Sequence, residues 1–184
     1  DLYTGHLDDV GRLSAPSASL YVWNNAPGWA QLHPLVLARG WKFRVCIVYD
    51  KARSMSQVNP FVSFADVTEV CGLYTRGAPH IAKVAGASTN VWRFDVASMA
   101  PEKLHGEPVL RKNAFKETTT LHPCQKPLLF AERMIRASTR PGDTVWVPFG
   151  GTLREMVAAE RMARGKPSEA RRVISCELNA DGKD

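Results

Sequence analysis

Two adjacent glycines, Gly150 and Gly151, follow the apolar run Thr144-Val145-Trp146-Val147 and stand just before a segment with helical periodicity. At such a junction the missing side chains let a ligand approach the backbone. The first amides of the helix then offer donors and a positive dipole to an anionic group. Glu177 closes the next apolar run, about 25 residues after the turn. A carboxylate there can accept hydrogen bonds from both hydroxyls of a ribose. Read alone, Pro148, Phe149, Gly150, Gly151 and Glu177 fit either a nucleoside-cofactor site or a plain turn with a surface glutamate. P-F-G-G also lacks the G-x-G-x-x-G spacing of dinucleotide-dependent oxidoreductases. A second segment, Leu121-His122-Pro123-Cys124-Gln125-Lys126-Pro127, lies directly before the helix that leads into this turn. By itself it reads as a loop ending on a helix-starting proline.

The elements that must position these residues are coarse but ordered. Residues 6–13 suit a short helix, broken by Ser14-Ala15-Pro16-Ser17, and Ala18–Trp23 is a β-rich run. A helix opened by Pro27 runs to about Arg39, with Gly40 as its stop. Trp41–Tyr49 and Val67–Thr75 read as strands. Residues 76–118 are irregular, with one short strand at Val91–Phe94. Pro127 then opens a helix with the apolar face Leu128, Ala131, Met134 and Ile135, ended by Pro141-Gly142. Thr144–Val147 is a strand, Thr152 and Glu155 have capping-box spacing, and a helix follows to about Arg164. Arg172–Cys176 is the last strand. Strand, glycine turn, helix, strand is a βαβ unit with parallel strands. The expected class is α/β, three-layered, with a mostly parallel sheet holding all these strands, in a single domain over residues 1–184.

Composition narrows the function classes. The 184 residues carry 24 basic and 18 acidic side chains, a formal charge of +6, which permits a polyanionic partner without demanding one. No apolar run approaches the roughly 20 residues of a membrane helix, and no signal peptide opens the chain. Cys46, Cys71, Cys124 and Cys176 are widely spaced, with no C-x-x-C. A disulfide framework or a metal site is therefore not expected, and a reducing, cytoplasmic location is. The chain begins at Asp1 rather than methionine, which suggests an incomplete domain.

The order H-P-x-Q-K-P, amphipathic helix, P-G-D, strand, P-F-G-G, helix, strand ending in glutamate resembles the amino-methylating (adenine-N6 or cytosine-N4) DNA methyltransferases. It is most similar to their permuted β class, in which the target-amine motif and recognition region precede the cofactor motif. The resemblance spans about residues 18–180, excluding the irregular segment, and takes in Ser19–Trp23, Trp29, Tyr49-Asp50-Lys51 and Thr68–Tyr74. It implies a Rossmann-like fold that binds S-adenosylmethionine, methylation of an exocyclic amine in double-stranded DNA, and a bacterial or phage restriction-modification setting. It implies that Pro148, Phe149, Gly150 and Gly151 shape the cofactor pocket, that Glu177 holds the ribose, and that His122, Gln125 and Lys126 close around the methionine end. Residues 76–118 occupy the target-recognition position and carry seven basic side chains against four acidic ones. Lys51, Arg53, Arg111 and Lys112 are the expected phosphate contacts.

The sequence also departs from that family. Its catalytic tetrapeptide, D/N/S-P-P-Y or F, has no counterpart in these residues, so no catalytic residue is assigned; the expectation is that the segment lay upstream. The acidic residue before P-F is Val147, the third turn glycine is Leu153, and the threonines that follow are Arg154 and Glu155. These departures support an alternative, a catalytically degenerate methyltransferase-like module that binds DNA.

Overall fold

A computed structural model describes residues 2–51, 66–83, 89–93 and 126–177. The chain divides into two compact parts, Asp1–Ser98 and Met99–Asp184.

The first part holds α1 (Leu2–Leu13), β1 (Ala18–Asn24), α2 (Ala26–Ala38), β2 (Lys42–Asp50), β3 (Thr68–Arg76) and β4 (Val91–Arg93). The strands form one sheet in the order β1-β3-β2-β4. β3 runs antiparallel to both β1 and β2, and β4 runs parallel to β2. The sheet is therefore mixed rather than mostly parallel. The physical reason is that β3 pairs antiparallel with both of its neighbours, an arrangement that needs no crossover helix.

Local chemistry sets the boundaries. The Asn25 side chain accepts a hydrogen bond from the Gly28 amide at 2.8 Å, capping α2, and Gly40 adopts φ +79 just beyond its end. α2 packs on β1 and β3. The contact between them is aromatic: Tyr74 is fully buried, its hydroxyl lies 2.8 Å from His33 Nδ1, and Trp29, His33 and Phe43 ring it. At Gly72 a Cβ would collide with the Tyr74 ring edge and sit 2.6 Å from Trp29 Nε1, so glycine makes room for these rings. Arg76 ties the far side. Its guanidinium stacks 4.7 Å from the Trp41 ring centre and donates to the Gly11 and Arg39 carbonyls at 2.7 and 3.3 Å.

The second part holds α3 (Leu128–Ser138), β5 (Thr144–Val147), α4 (Arg154–Ala163), a 3-10 turn at Pro167–Glu169 and β6 (Arg172–Ser175). β5 and β6 pair in parallel, Val145 opposite Val173 and Trp146 opposite Ile174, with α4 as the connection. Here the βαβ expectation holds. Leu128, Ala131 and Ile135 of α3 pack with Ala158, Ala159 and Met162 of α4, over Val145 and Val173. Among the described residues β5 and β6 form a two-stranded sheet of their own, so the single sheet expected from the sequence is not what the ladders show.

Candidate functional site

The turn after β5 is held by its own backbone. The Cys176 amide donates to the Val147 carbonyl at 3.0 Å, and the Gly150 amide donates to the Cys176 carbonyl at 2.8 Å. These two bonds stitch the turn to the carboxyl end of β6. The Leu153 amide then bonds back to the Gly150 carbonyl at 2.8 Å. Gly151 and Leu153 both take left-handed conformations, φ 51 and φ 56. For Leu153 this costs about 1–2 kcal/mol, a strain glycine would avoid. α4 therefore starts from a left-handed Leu153 with no side-chain cap. The capping box expected from Thr152 and Glu155 does not form, because the turn's geometry and not a hydroxyl sets the start of the helix.

Glu177 reaches back across the turn. Its Oε2 accepts a hydrogen bond from the Gly151 amide at 2.5 Å. A carboxylate offers about four acceptor positions, more than the Gly151 amide takes. Gly150 is buried, and a Cβ there would collide with Ser175 Oγ and come within 2.9 Å of Leu153 Cδ2. The Ser175 Oγ is itself buried with no hydrogen-bond partner among the described residues. Phe149, half exposed, stands at the rim.

Another candidate from the sequence, Lys126, precedes α3. Lys126 is half-buried, one residue before the buried Pro127. It lies within Coulombic reach of Glu155 in the first turn of α4. Burial pushes the Glu155 carboxyl up, against the opposing pull of its own backbone amide and of the Arg154 and Lys126 charges.

Pro148, Phe149, Gly150, Gly151 and Glu177 are thus brought together, and Lys126 is carried to the start of the adjoining helix. His122, Gln125, Arg53, Arg111 and Lys112 lie outside the described residues. Lys51 is described, and its ammonium is 3.0 Å from the Glu69 carboxylate, so its charge already has a partner. Val147 contributes a carbonyl and no polar side chain. Sequence reasoning missed Ser175 and Glu155. Ser175 was within reach of it, since it stands two residues before Glu177 and shares that residue's side of an extended segment. Among the described residues no group of His, Cys, Asp and Glu could hold a metal ion. No described helix is long and apolar enough to cross a membrane.

Comparison with known proteins bears on this arrangement. A family model for N6- and N4-type enzymes, described as DNA methylase, matches residues 1–183. No curated protein matches. Among solved structures, the M1.HpyAVI–SAM complex superposes with a TM-score of 0.68 at 17% identity, covering 95% of this chain and 75% of that one. The cytosine-N4-specific PvuII DNA methyltransferase gives 0.59 at 19% identity, covering 87% of this chain and 59% of that one. TTHA0409 from Thermus thermophilus, complexed with S-adenosyl-L-methionine, gives 0.55 at 21% identity over 96% of this chain and 72% of that one.

Proposed function

The chain belongs to the N6/N4 DNA methylase family, and from that premise we propose that its glycine turn binds S-adenosylmethionine for methyl transfer to an exocyclic amine of DNA. The observation that carries this reading is the Gly151–Glu177 contact of 2.5 Å beside a Gly150 that has no room for a Cβ. Backbone and carboxylate are held where a nucleoside would need close approach and two hydroxyl acceptors.

The residues present suit the cofactor. Gly150 leaves no room for a side chain where the turn lies against the end of β6, and the Ser175 hydroxyl beside it has no hydrogen-bond partner among the described residues. Glu177 would accept the ribose hydroxyls, Pro148 and Phe149 would form the wall against the adenine, and Lys126, with His122 and Gln125, would meet the methionine end. S-adenosylmethionine, when bound, supplies an electrophilic methyl group. The protein's part is to orient that group, exclude water and present a flipped base, the last at a cost of a few kcal/mol.

The target is an amine of adenine or cytosine in duplex DNA, with Arg53, Arg111 and Lys112 as phosphate contacts and Lys51 as a weaker one because of Glu69. The sequence holds no D/N/S-P-P-Y or F tetrapeptide to clamp such a base, so binding is a more direct test than turnover. Calorimetric titration of the chain with S-adenosylmethionine should show one site. Heat changes no larger than those of dilution would refute the reading.

A further inference from the structure

The end of the second part that lies away from the glycine turn has a chemistry of its own. β5 and β6 start there, at Thr144 and Arg172, and meet the turn only at their carboxyl ends. One strand length separates the two ends, about 13 Å at about 3.3 Å per residue. The loop after α3 and the segment before β6 are bonded to each other at this end. The Gly142 amide donates to the Ala170 carbonyl at 2.7 Å, and the Arg172 amide donates to the Asp143 carbonyl at 2.9 Å. The buried Arg171 guanidinium joins the same two stretches, donating to Thr139 Oγ1 at 3.3 Å and pairing with Glu169 at 2.9 Å. The Glu169 amide in turn donates to the Lys166 carbonyl at 2.9 Å.

Segments 136–143 and 164–172 thereby gather Arg136, Arg140, Arg164, Lys166, Arg171 and Arg172 against only two acids, Asp143 and Glu169. Both acids are engaged, Glu169 by Arg171 and Asp143 by the Arg140 amide at 2.8 Å. Arg136, Arg140, Arg164, Lys166 and Arg172 are exposed, and none has an ion-pair partner among the described residues. Cations at a helix C-terminus complement its dipole, which accounts for Arg136 in the last turn of α3 and Arg164 at the end of α4. It does not account for Arg140, Lys166 and Arg172, which lie beyond the helices. The surface between them is low: at Gly142 and Gly165 a Cβ would meet open space. None of the exposed large hydrophobics lies in either segment. Charge without apolar side chains suits a phosphate backbone better than a bilayer, which a surface enters by its apolar residues.

We propose that this end of the second part is a non-specific contact for the phosphate backbone of duplex DNA, separate from the cofactor turn and centred on Arg140, Lys166 and Arg172. It rests on the DNA target of the function proposed above and not on the cofactor site. Standing at the opposite ends of the strands, it does not touch the base that is methylated. It holds the chain on duplex by releasing counterions, without reading sequence.

The test is equilibrium binding of the full chain to a short mixed-sequence duplex between about 50 and 200 mM salt. Wild type is compared with Arg140→Gln/Arg172→Gln and with Arg12→Gln/Lys42→Gln, which removes the same net charge from exposed sites of the first part. The first variant should bind about tenfold more weakly at the low-salt end, with a log–log salt slope shallower by about 2, at about 0.9 per phosphate contact. The second should keep the wild-type slope. A wild-type slope in the first variant, or an equal fall in both, overturns the inference. So does a first variant that loses binding to phosphatidylserine vesicles while its duplex binding is unchanged, since the surface is then a membrane contact. Titration with S-adenosylmethionine separates this from the cofactor reading. A duplex effect in a chain that gives no cofactor heat leaves the inference standing and refutes that reading; cofactor heat in a wild type that binds no duplex does the reverse. Arg171, which joins the two stretches, is left intact in every variant. If Arg140→Gln/Arg172→Gln melts lower than wild type, Lys166→Gln alone, expected to lower the slope by about 1, decides in the same way.

Discussion

Gly72 and Gly150 are both positions where a single methyl group would collide with its surroundings, yet they sit in regions built for different ends. At Gly72 the vacated volume is filled by the protein's own rings, Tyr74 and Trp29. At Gly150 it is filled by the Ser175 hydroxyl, which has no partner among the described residues, with Leu153 and the Cys176 carbonyl beside it. In the first region the buried hydrophobics from Leu7 to Tyr74 lie on α1, α2, β2 and β3 or beside them, and the buried Thr75 hydroxyl accepts from Arg44 Nε at 2.7 Å. The second region keeps Phe149, Leu153, Met156 and Val157 largely exposed around its turn. The first glycine admits rings into a packed cluster; the second lets the turn after β5 lie against the end of β6.

That contrast can be broken by mutation. Tyr74→Ala should cost about 4 kcal/mol in urea unfolding, since it empties a fully buried ring site, while Tyr74→Phe should cost about 1 kcal/mol for the lost His33 bond. A Tyr74→Ala penalty under about 1.5 kcal/mol would show that the aromatic cluster is not the packing centre described. Gly150→Ala should cost about 1–3 kcal/mol in urea unfolding, the range for overpacking a tight position. Adding Ser175→Ala removes the colliding hydroxyl and should restore part of that stability. No recovery would mean the backbone, not Ser175, limits the site.

Smaller effects sharpen the same division. Glu177→Ala should weaken cofactor binding by about 1–3 kcal/mol, measured by calorimetry, with little change in melting. Leu153→Gly should raise stability by about 1 kcal/mol, because glycine relieves the left-handed strain at φ 56; a lower melting temperature would show that the leucine side chain matters more than its backbone. The two shifted carboxylates of this region should titrate with opposite sign. Glu155 has a raised pKa in the fold, so its contribution favours the fold fully below the unfolded value and is lost as pH rises through the folded one. Glu155→Gln should therefore melt higher than wild type near pH 7 and no higher near pH 4. Glu169 is held down first by its hydrogen bond from Arg171, so its contribution is present above the unfolded value and fades as pH falls through the folded one. Thermal melts across pH 3–7 with Glu169→Gln should show that smaller, inverse trend.

The βαβ unit was legible because its signals are local: apolar runs in β5 and β6, a Pro141-Gly142 stop, and a glycine turn between. Strand direction in the first region was not, since alternation reads the same whichever way a strand runs. The α4 cap misled because Thr152 has the right spacing but lies in a turn whose neighbours, Gly151 and Leu153, are both left-handed. The contacts of Arg76 with Trp41, Gly11 and Arg39 arise from tertiary packing, and no spacing in the sequence encodes them. At the candidate site the turn and Glu177 were visible as residue types in order.

Asp50 and Arg93, which stand opposite each other at the ends of β2 and β4, are joined by an ion pair of 3.1 Å. β3 begins at Thr68 opposite that same Asp50, and the Lys51 amide donates to the Val67 carbonyl at 2.9 Å. One short rim therefore carries the end of β2 at Asp50, the start of β3 at Thr68 and the end of β4 at Arg93. Junctions fixed in this way behave like sockets: what is plugged between them can change in length while the ladder behind stays in register. Doubling the length of a flexible insert costs only about 0.6 kcal/mol of closure entropy. Variation in such a lineage has a cheap place to accumulate, at a distance from the aromatic packing behind it. Grafting a foreign segment between Asp50 and Thr68, or after Arg93, is the corresponding route for an engineer.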